Sequence, residues 1–260
     1  MSNADATEIV SSLATVVPLT RPLPPRVIGF DGDDTLWKSE SLFSMTQGRF
    51  RMLLLRHVDL PSDLIDARLT ETVQRNLALY GYSIKGFMLS MVETAIAVTG
   101  GRIPAADIST ILSFGRTMLE HPVEVVEGAR EVLETLRALD HELWLVADGD
   151  LFDQESKLAR SGLASLFHHV EIVTDKDPET YRKLLGRYGV LPEEFAMVGN
   201  SLRADVLPVI GIGGRGYHVS SGVAPPPDKV GVASEHRGAY RTIAHLSDLL
   251  QVLDTPEAEP

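Results

Sequence analysis

The sequence predicts an α/β fold, a parallel sheet flanked by helices and interrupted after its first strand by an all-helical insertion. Three observations lead there. A short apolar run, Val27-Ile28-Gly29-Phe30, stops abruptly at Asp31-Gly32-Asp33-Asp34-Thr35-Leu36-Trp37. From about 38 to 126 the apolar residues recur at helical spacing, with no strand-like run among them. From Glu127 onward helical and strand-like patterns alternate, the rhythm of parallel strands joined by crossover helices.

In chain order, residues 1–25 are small and polar and end in Arg21-Pro22-Leu23-Pro24-Pro25, an arm expected on the surface. Strand one follows, its length and apolar character those of a buried parallel strand. The insertion carries one helical stripe at Ile65, Leu69, Val73, Leu77 and Tyr80, and another at Phe87, Met88, Met91, Ala95 and Val98. Gly81, Gly100-Gly101 and Pro104 break it into separate helices. After Glu127 come a helix with Val132, Leu133, Leu136 and Leu139, the strand Leu143-Trp144-Leu145-Val146, and a helix through Lys157 and Leu158. The strand Val170-Glu171-Ile172-Val173, a helix from Pro178 to Tyr188, the strand Phe195-Ala196-Met197-Val198-Gly199 and a last strand near Tyr217 complete the sheet. Ala224-Pro225-Pro226-Pro227 reads as a stiff loop, and Ile243, Leu246, Leu249 and Leu250 as an amphipathic tail closing the core. The expected boundaries are an arm over 1–25, a discontinuous core over 26–37 and 127–253, a helical domain over 38–126, and a tail over 254–260.

Composition narrows the function. The 260 residues, 44% hydrophobic, suffice for a full core and a second domain. With 36 acidic against 24 basic residues the formal charge is -12, which opposes binding to nucleic acid or anionic membranes, and no local basic patch offsets it. There is no cysteine, so disulfides, thiolate zinc sites and a cysteine nucleophile are excluded, and a reducing, cytoplasmic setting is the expectation. Neither a signal-peptide pattern nor a run of transmembrane length is present, so a soluble protein is expected.

The chemistry gathers where strands end. In open α/β sheets ligands bind just beyond the carboxyl ends of the strands, and Asp31 and Asp33 sit there together. Two close carboxylates resist joint ionisation unless a cation lies between them, and Mg²⁺, a hard ion taking oxygen ligands, is the natural companion. A lone aspartate after a strand is ordinarily a turn former; the second aspartate and the threonine make the run more than a turn. Strand two ends in Ala147-Asp148-Gly149-Asp150, strand three leads to Lys176, and strand four ends in Gly199-Asn200-Ser201 with Asp205 beyond.

In these residues the chain resembles the haloacid dehalogenase-like (HAD) hydrolases over about residues 26 to 253. Asp31-Gly32-Asp33-Asp34-Thr35 is similar to that family's first motif, Asp-x-Asp-x-Thr. Gln154-Glu155-Ser156-Lys157-Leu158, Lys176-Asp177-Pro178-Glu179-Thr180-Tyr181 and Gly199-Asn200-Ser201-Leu202-Arg203-Ala204-Asp205 are similar to a capped branch of it. The resemblance implies a Rossmann-like parallel sheet core with a helical cap inserted after the first motif, and a Mg²⁺-dependent phosphomonoesterase acting on a small phosphorylated metabolite. It implies Asp31 as the nucleophile that forms an aspartyl-phosphate, Asp33 as general acid and base, and Lys176 as the charge holding the nucleophile and the phosphoryl oxygens. Asp205, the Asp31 side chain and the Asp33 carbonyl would hold Mg²⁺, with Asn200 anchoring a water on it. Thr35, Ala147 and Asp148 fall at phosphate-binding positions, Thr35 alternatively fixing the loop and Trp37 serving as hinge or core. Tyr80, Tyr82, Lys85 and Arg51 are cap positions from which specificity contacts could come.

The departure is at the second motif, where the family has a serine or threonine and this chain has Ala147, followed by Asp148. Alanine cannot donate to a phosphoryl oxygen, and Asp148 adds negative charge unless its side chain turns away to cap the next helix. Backbone N–H groups near Asp148 and Gly149 remain as donors. A hydrogen bond to a charged group is worth about 1.5–3 kcal/mol, so losing one predicts roughly ten- to hundred-fold weaker catalysis. Two alternatives stay open: a phosphate-ligand-binding protein with little or no turnover, and another reaction of the family such as dehalogenation, against which Asp33 speaks.

Overall fold

The structure is a computed structural model and describes residues 24–220 and 240–253. The arm before residue 24, the proline loop Ala224-Pro225-Pro226-Pro227 and the tail from 254 onward lie outside the described residues. Six strands form one parallel sheet: β1 (Val27–Phe30), β2 (Glu142–Asp148), β3 (His169–Val173), β4 (Phe195–Gly199), β5 (Arg215–Val219) and β6 (Arg241–Ile243). Their order is β3-β2-β1-β4-β5-β6. Phe30 aligns with Leu145 on one side and Val198 on the other, so β1, β2 and β4 end side by side.

Helices α1 (Glu40–Leu54), α2 (Ser62–Tyr80), α3 (Ile84–Val98) and α4 (Ala105–Glu120) occupy the insertion. Next come α5 (Ala129–Ala138), α6 (Leu151–Ser161), α7 (Pro178–Tyr188), α8 (Leu207–Ile210) and α9 (Leu249–Leu253). Alternate strand residues face opposite layers. Ile28, Phe30, Leu143 and Leu145 pack with Val132, Leu133 and Leu136 of α5. Val27, Trp144, Val146 and Phe195 pack with Tyr181, Leu184 and Leu185 of α7. Gly29 lies on the second face because a Cβ there would come within 2.7 Å of the Phe195 ring.

The insertion has its own core, in which Phe50 and Leu54 of α1 meet Ile65 and Leu69 of α2, Met91 of α3 and Ile111 of α4. It joins the sheet through two segments that run antiparallel: the Lys38 N–H donates to Glu124 O (2.9 Å) and the Val126 N–H to Leu36 O (2.9 Å). Two expectations change. Ile243 belongs to a sixth strand and not to a tail helix; a run of three residues carries too little periodicity to tell the two apart, yet Ile243, Leu246 and Leu249 do close the core. On α2 the stripe leaves the core midway, since Leu77 and Tyr80 are 39% and 47% exposed while Thr72 and Asn76 are buried. No helix among the described residues is long and apolar enough to cross a membrane.

Candidate active site

The loop after β1 is folded by its own backbone and by Trp37. The N–H groups of Thr35, Leu36 and Trp37 all point at Gly32 O (3.3, 2.9 and 3.2 Å), and the Trp37 ring lies so close over Gly32 that a Cβ there would sit 2.5 Å from it. Asp34 takes a left-handed conformation (φ 59°), and its Oδ1 accepts from the N–H groups of Ser39 (2.8 Å) and Glu40 (2.9 Å) at the start of α1. Turned this way, Asp34 is a helix cap and leaves Asp31 and Asp33 to the site.

Asp31 is buried at the tip of β1, its N–H donating to Val198 O (2.9 Å). Lys176, buried after β3, donates to the Asp31 carboxylate, to Asp205 Oδ1 (2.8 Å), and lies 3.3 Å from Asp148 Oδ1. One ammonium thus joins the ends of four strands. Asp205 is 1% exposed; its second oxygen accepts from the Ser201 N–H (2.9 Å), in a π-helical turn over Leu202–Val206. Gly199 permits this, since a Cβ there would meet the Asp205 carboxylate at 2.2 Å. Burial pushes the Asp31 carboxyl well above its ordinary range despite Lys176, and burial likewise raises Asp205. Burial pulls Lys176 down, but Asp205 and Asp31 outweigh it and raise the ammonium well above its ordinary value.

Asp33 points the other way, toward α6. Its carboxylate accepts from Trp37 Nε1 (2.8 Å), Gln154 Nε2 (2.9 Å) and Lys157 Nζ (3.0 and 3.1 Å). Lys157 is 8% exposed and pairs also with Asp153 (3.0 Å). Gln154 and Lys157 enter the sequence analysis only inside a motif, with no role. The available signal is spacing: Asp150, Asp153, Gln154 and Lys157 fall three and four apart, a polar stripe on a helix that directly follows β2.

Thr35 is fully buried, and its hydroxyl donates to Asp31 Oδ2 (3.3 Å) while accepting from the Asn200 N–H (3.1 Å). This hydroxyl ties the first loop to the β4 loop, the loop-fixing role. Asn200 is half-buried beyond β4, its carbonyl accepting from His218 Nε2 (3.0 Å). Ala147 is 1% exposed within the apolar core on the α5 side of the sheet. Asp148 does not turn away to cap α6. Asp150 caps that helix, accepting from the Asp153 N–H (3.0 Å), which frees Asp148 to face Lys176. The Gly149 N–H donates to Val173 O (3.3 Å), so it is not available to a phosphoryl oxygen.

The insertion touches this loop. Lys85 of α3 donates to both Asp150 oxygens (2.8 and 2.9 Å), and a Cβ on Gly149 would lie 2.9 Å from Tyr82 O. Hydrogen bonds from Lys85, opposed by burial, hold the Asp150 carboxyl below its ordinary range. Arg51 pairs with Asp66 of α2, a contact between helices of the insertion.

Among the described residues no three acidic or histidine side chains converge as a metal cage. Mg²⁺ does not need one, because it keeps several waters and binds through one or two carboxylates. Asp31, Asp205 and Asp148 share a single ammonium, so buried negative charge is in excess and every donor atom is a hard oxygen. These residues fit a divalent cation.

A family model of haloacid dehalogenase-like hydrolases matches residues 25–213. The glyceraldehyde 3-phosphate phosphatases of Pyrococcus abyssi and Pyrococcus furiosus are each 27% identical over 188 residues, 70% of this chain and 75% of theirs. A haloacid dehalogenase-like family hydrolase from Xanthomonas campestris is 39% identical with a TM-score of 0.77, the match covering 89% of this chain and 92% of that one. The HAD-hydrolase YfnB of Bacillus subtilis, solved bound to magnesium, shares the fold at 20% identity and a TM-score of 0.60, over 90% of this chain and all of that one.

Proposed function

The chain belongs to the haloacid dehalogenase-like hydrolases, and on that premise we propose that it is a Mg²⁺-dependent phosphomonoesterase acting on a small phosphorylated metabolite. The observation that carries this reading is Lys176 gripping both Asp31 and Asp205 while Asp33, two residues from Asp31, is held apart by Trp37, Gln154 and Lys157. That separation divides the labour. Asp31 attacks phosphorus, the P–O bond to the alcohol breaks, and an aspartyl-phosphate forms. Asp33, which takes up a proton and gives up one of the donors that hold it when substrate binds, passes that proton to the departing alkoxide, then takes one from the water that attacks phosphorus and releases Asp31 with inorganic phosphate. Lys176 stays a fixed positive charge beside the nucleophile throughout. Asp31, Asp205 and the Asp33 carbonyl would hold Mg²⁺ with Asn200 beside them, and the ion supplies neutralisation of phosphoryl charge. The four inserted helices act as a cap that excludes bulky phosphoproteins and water. The phosphatase names of the Pyrococcus relatives support the substrate class.

A panel of phosphate monoesters with and without Mg²⁺ tests this. Asp31→Asn, nearly isosteric but without the attacking charge, is expected to abolish turnover with a melting curve close to the parent's. Normal turnover by that variant, or full activity in chelator, rejects the mechanism. A second reading, binding with little turnover, is favoured by one observation: the tip of β2 offers neither a hydroxyl at Ala147 nor the Gly149 N–H.

A further inference from the structure

The insertion holds a half-open cavity of ≈ 320 Å³ between α1, α2 and α3, within the size range of small-molecule sites. Phe43, Leu69, Val73, Leu77 and Phe87 give its wall an apolar character. Gln47, Thr70, Gln74, Asn76, Ser83 and Ser90 add neutral polar groups, and among the described residues no Asp, Glu, Lys or Arg lines it. Where the α2 stripe leaves the helical core, Leu77 lines this space, while Val73 both lines it and packs against that core.

The cavity lies beside the proposed reaction centre. Its rim is the turn Gly81, Tyr82, Ser83, whose Tyr82 carbonyl is the group packed against Gly149 at the tip of β2. Tyr82 is 58% exposed, and its ring stacks on Phe43 (centroids 6.0 Å apart), which in turn meets Phe87 (5.2 Å), so one aromatic series runs from rim to wall. Partial burial, with the carboxylates of Asp33, Asp34 and Asp148, pushes the Tyr82 hydroxyl up to about 12. Through the contact of Tyr82 with Gly149 the rim adjoins the β2 loop, whose Asp148 lies beside Lys176 and with it Asp31.

We propose that this cavity takes the alcohol part of the substrate, and that this part is an uncharged, largely apolar or aromatic body. The proposal rests on the phosphatase reading and specifies its substrate class. A second phosphate or a carboxylate would enter a wall with no counter-charge, and a polyhydroxylated chain would leave hydroxyls unpaired against Leu69, Val73 and Phe87. An aliphatic or benzylic body buries apolar surface there, with the amides of Gln47 and Gln74 set to receive one neutral polar end.

Benzyl phosphate and glycerol 3-phosphate, both esters of alcohols with basic alkoxides, are the kinetic probes. The expected result is a KM at least tenfold lower for benzyl phosphate. Leu77→Trp, or Gln74→Trp at a second exposed lining position, fills the space and is expected to shrink that ratio tenfold or more through the benzyl KM and not through kcat. Calorimetry with benzylphosphonate, which cannot be hydrolysed, is expected to show binding that either variant weakens tenfold. If both esters turn over with equal KM and neither variant changes the ratio, the cavity proposal is overturned and the phosphatase reading stands. If benzylphosphonate binds in this variant-sensitive way but no ester turns over, the cavity proposal stands and the phosphatase reading fails.

Discussion

Among the described residues Lys176 is the one ammonium beside Asp31, Asp205 and Asp148, and its loss leaves the buried Asp31 and Asp205 carboxylates without a counter-charge. Breaking a buried pair in this way costs about 3–5 kcal/mol. Lys176→Met is therefore expected to lower the unfolding free energy measured by chemical denaturation by that amount, and Mg²⁺ is expected to raise the variant's stability more than the parent's, because the cation takes over the neutralisation. An equal Mg²⁺ response in both proteins would count against a metal at Asp31 and Asp205. Ala147 is the converse case, a site lacking a group. Ala147→Thr restores a hydroxyl at the tip of β2 and is expected to raise kcat/KM for a phosphate ester several-fold, about 1 kcal/mol of added transition-state stabilisation. An unchanged kcat/KM would show that the β2 tip uses another donor.

Helix α6 shows what elements contribute. Asp150 is at once its N-cap and the partner of Lys85 on α3. Asp150→Ala removes both roles, whereas Asp150→Ser keeps an oxygen for the Asp153 N–H and loses only the ion pair. Losing the cap costs about 0.5–2 kcal/mol, and the pair, partly exposed, about 1 kcal/mol at most. The folded carboxyl is depressed by Lys85, so the pair's contribution is present above the ordinary carboxylate range and is lost as pH falls through the lowered value. Chemical denaturation of parent and Asp150→Ser between pH 7 and pH 3 is expected to show curves that converge on acidification; a constant gap would remove the ion pair from the account. Helices and strands with local signals were legible in the sequence. Asp177 as cap, Pro178 in the first turn and Gly189 in a left-handed C-terminal position bound α7 where expected. The hold of α6 on Asp33 was not legible, because Gln154 and Lys157 lie 121 and 124 positions from their partner and no local pattern encodes that distance.

At the scale of the molecule, the apolar clusters divide between a sheet with two covered faces and a helical body with a core of its own. Each loses stability by its own mutations. Ile65→Ala, fully buried in the helical body, is expected to cost about 2–5 kcal/mol. Hydrogen exchange should rise in α2, α3 and α4 while β1 and β4 stay protected; equal loss of protection in the sheet would show that the two parts unfold as one. That Asp31, Asp148, Lys176 and Asp205 follow strand ends was legible in the alternation of elements and their shared site in the family resemblance; the sheet order that sets those ends side by side was not. Nor was the open space beneath Tyr82, since a stripe at helical spacing reads alike whether it meets another helix or a void.

The central place of β1 has a consequence for synthesis. This strand, which carries Asp31 at its tip, leaves the ribosome early, yet its neighbours are β2 and β4, and the contact of Arg26 with Glu142 spans 116 positions. At about 5–20 residues per second the newborn strand waits roughly 6–20 s for its first partner. The helical body emerges in that interval and its contacts are local, so it is the part able to fold first. Its two ends meet at Lys38 and Glu124, and closing them returns the chain to the tip of β1 before β2 is made.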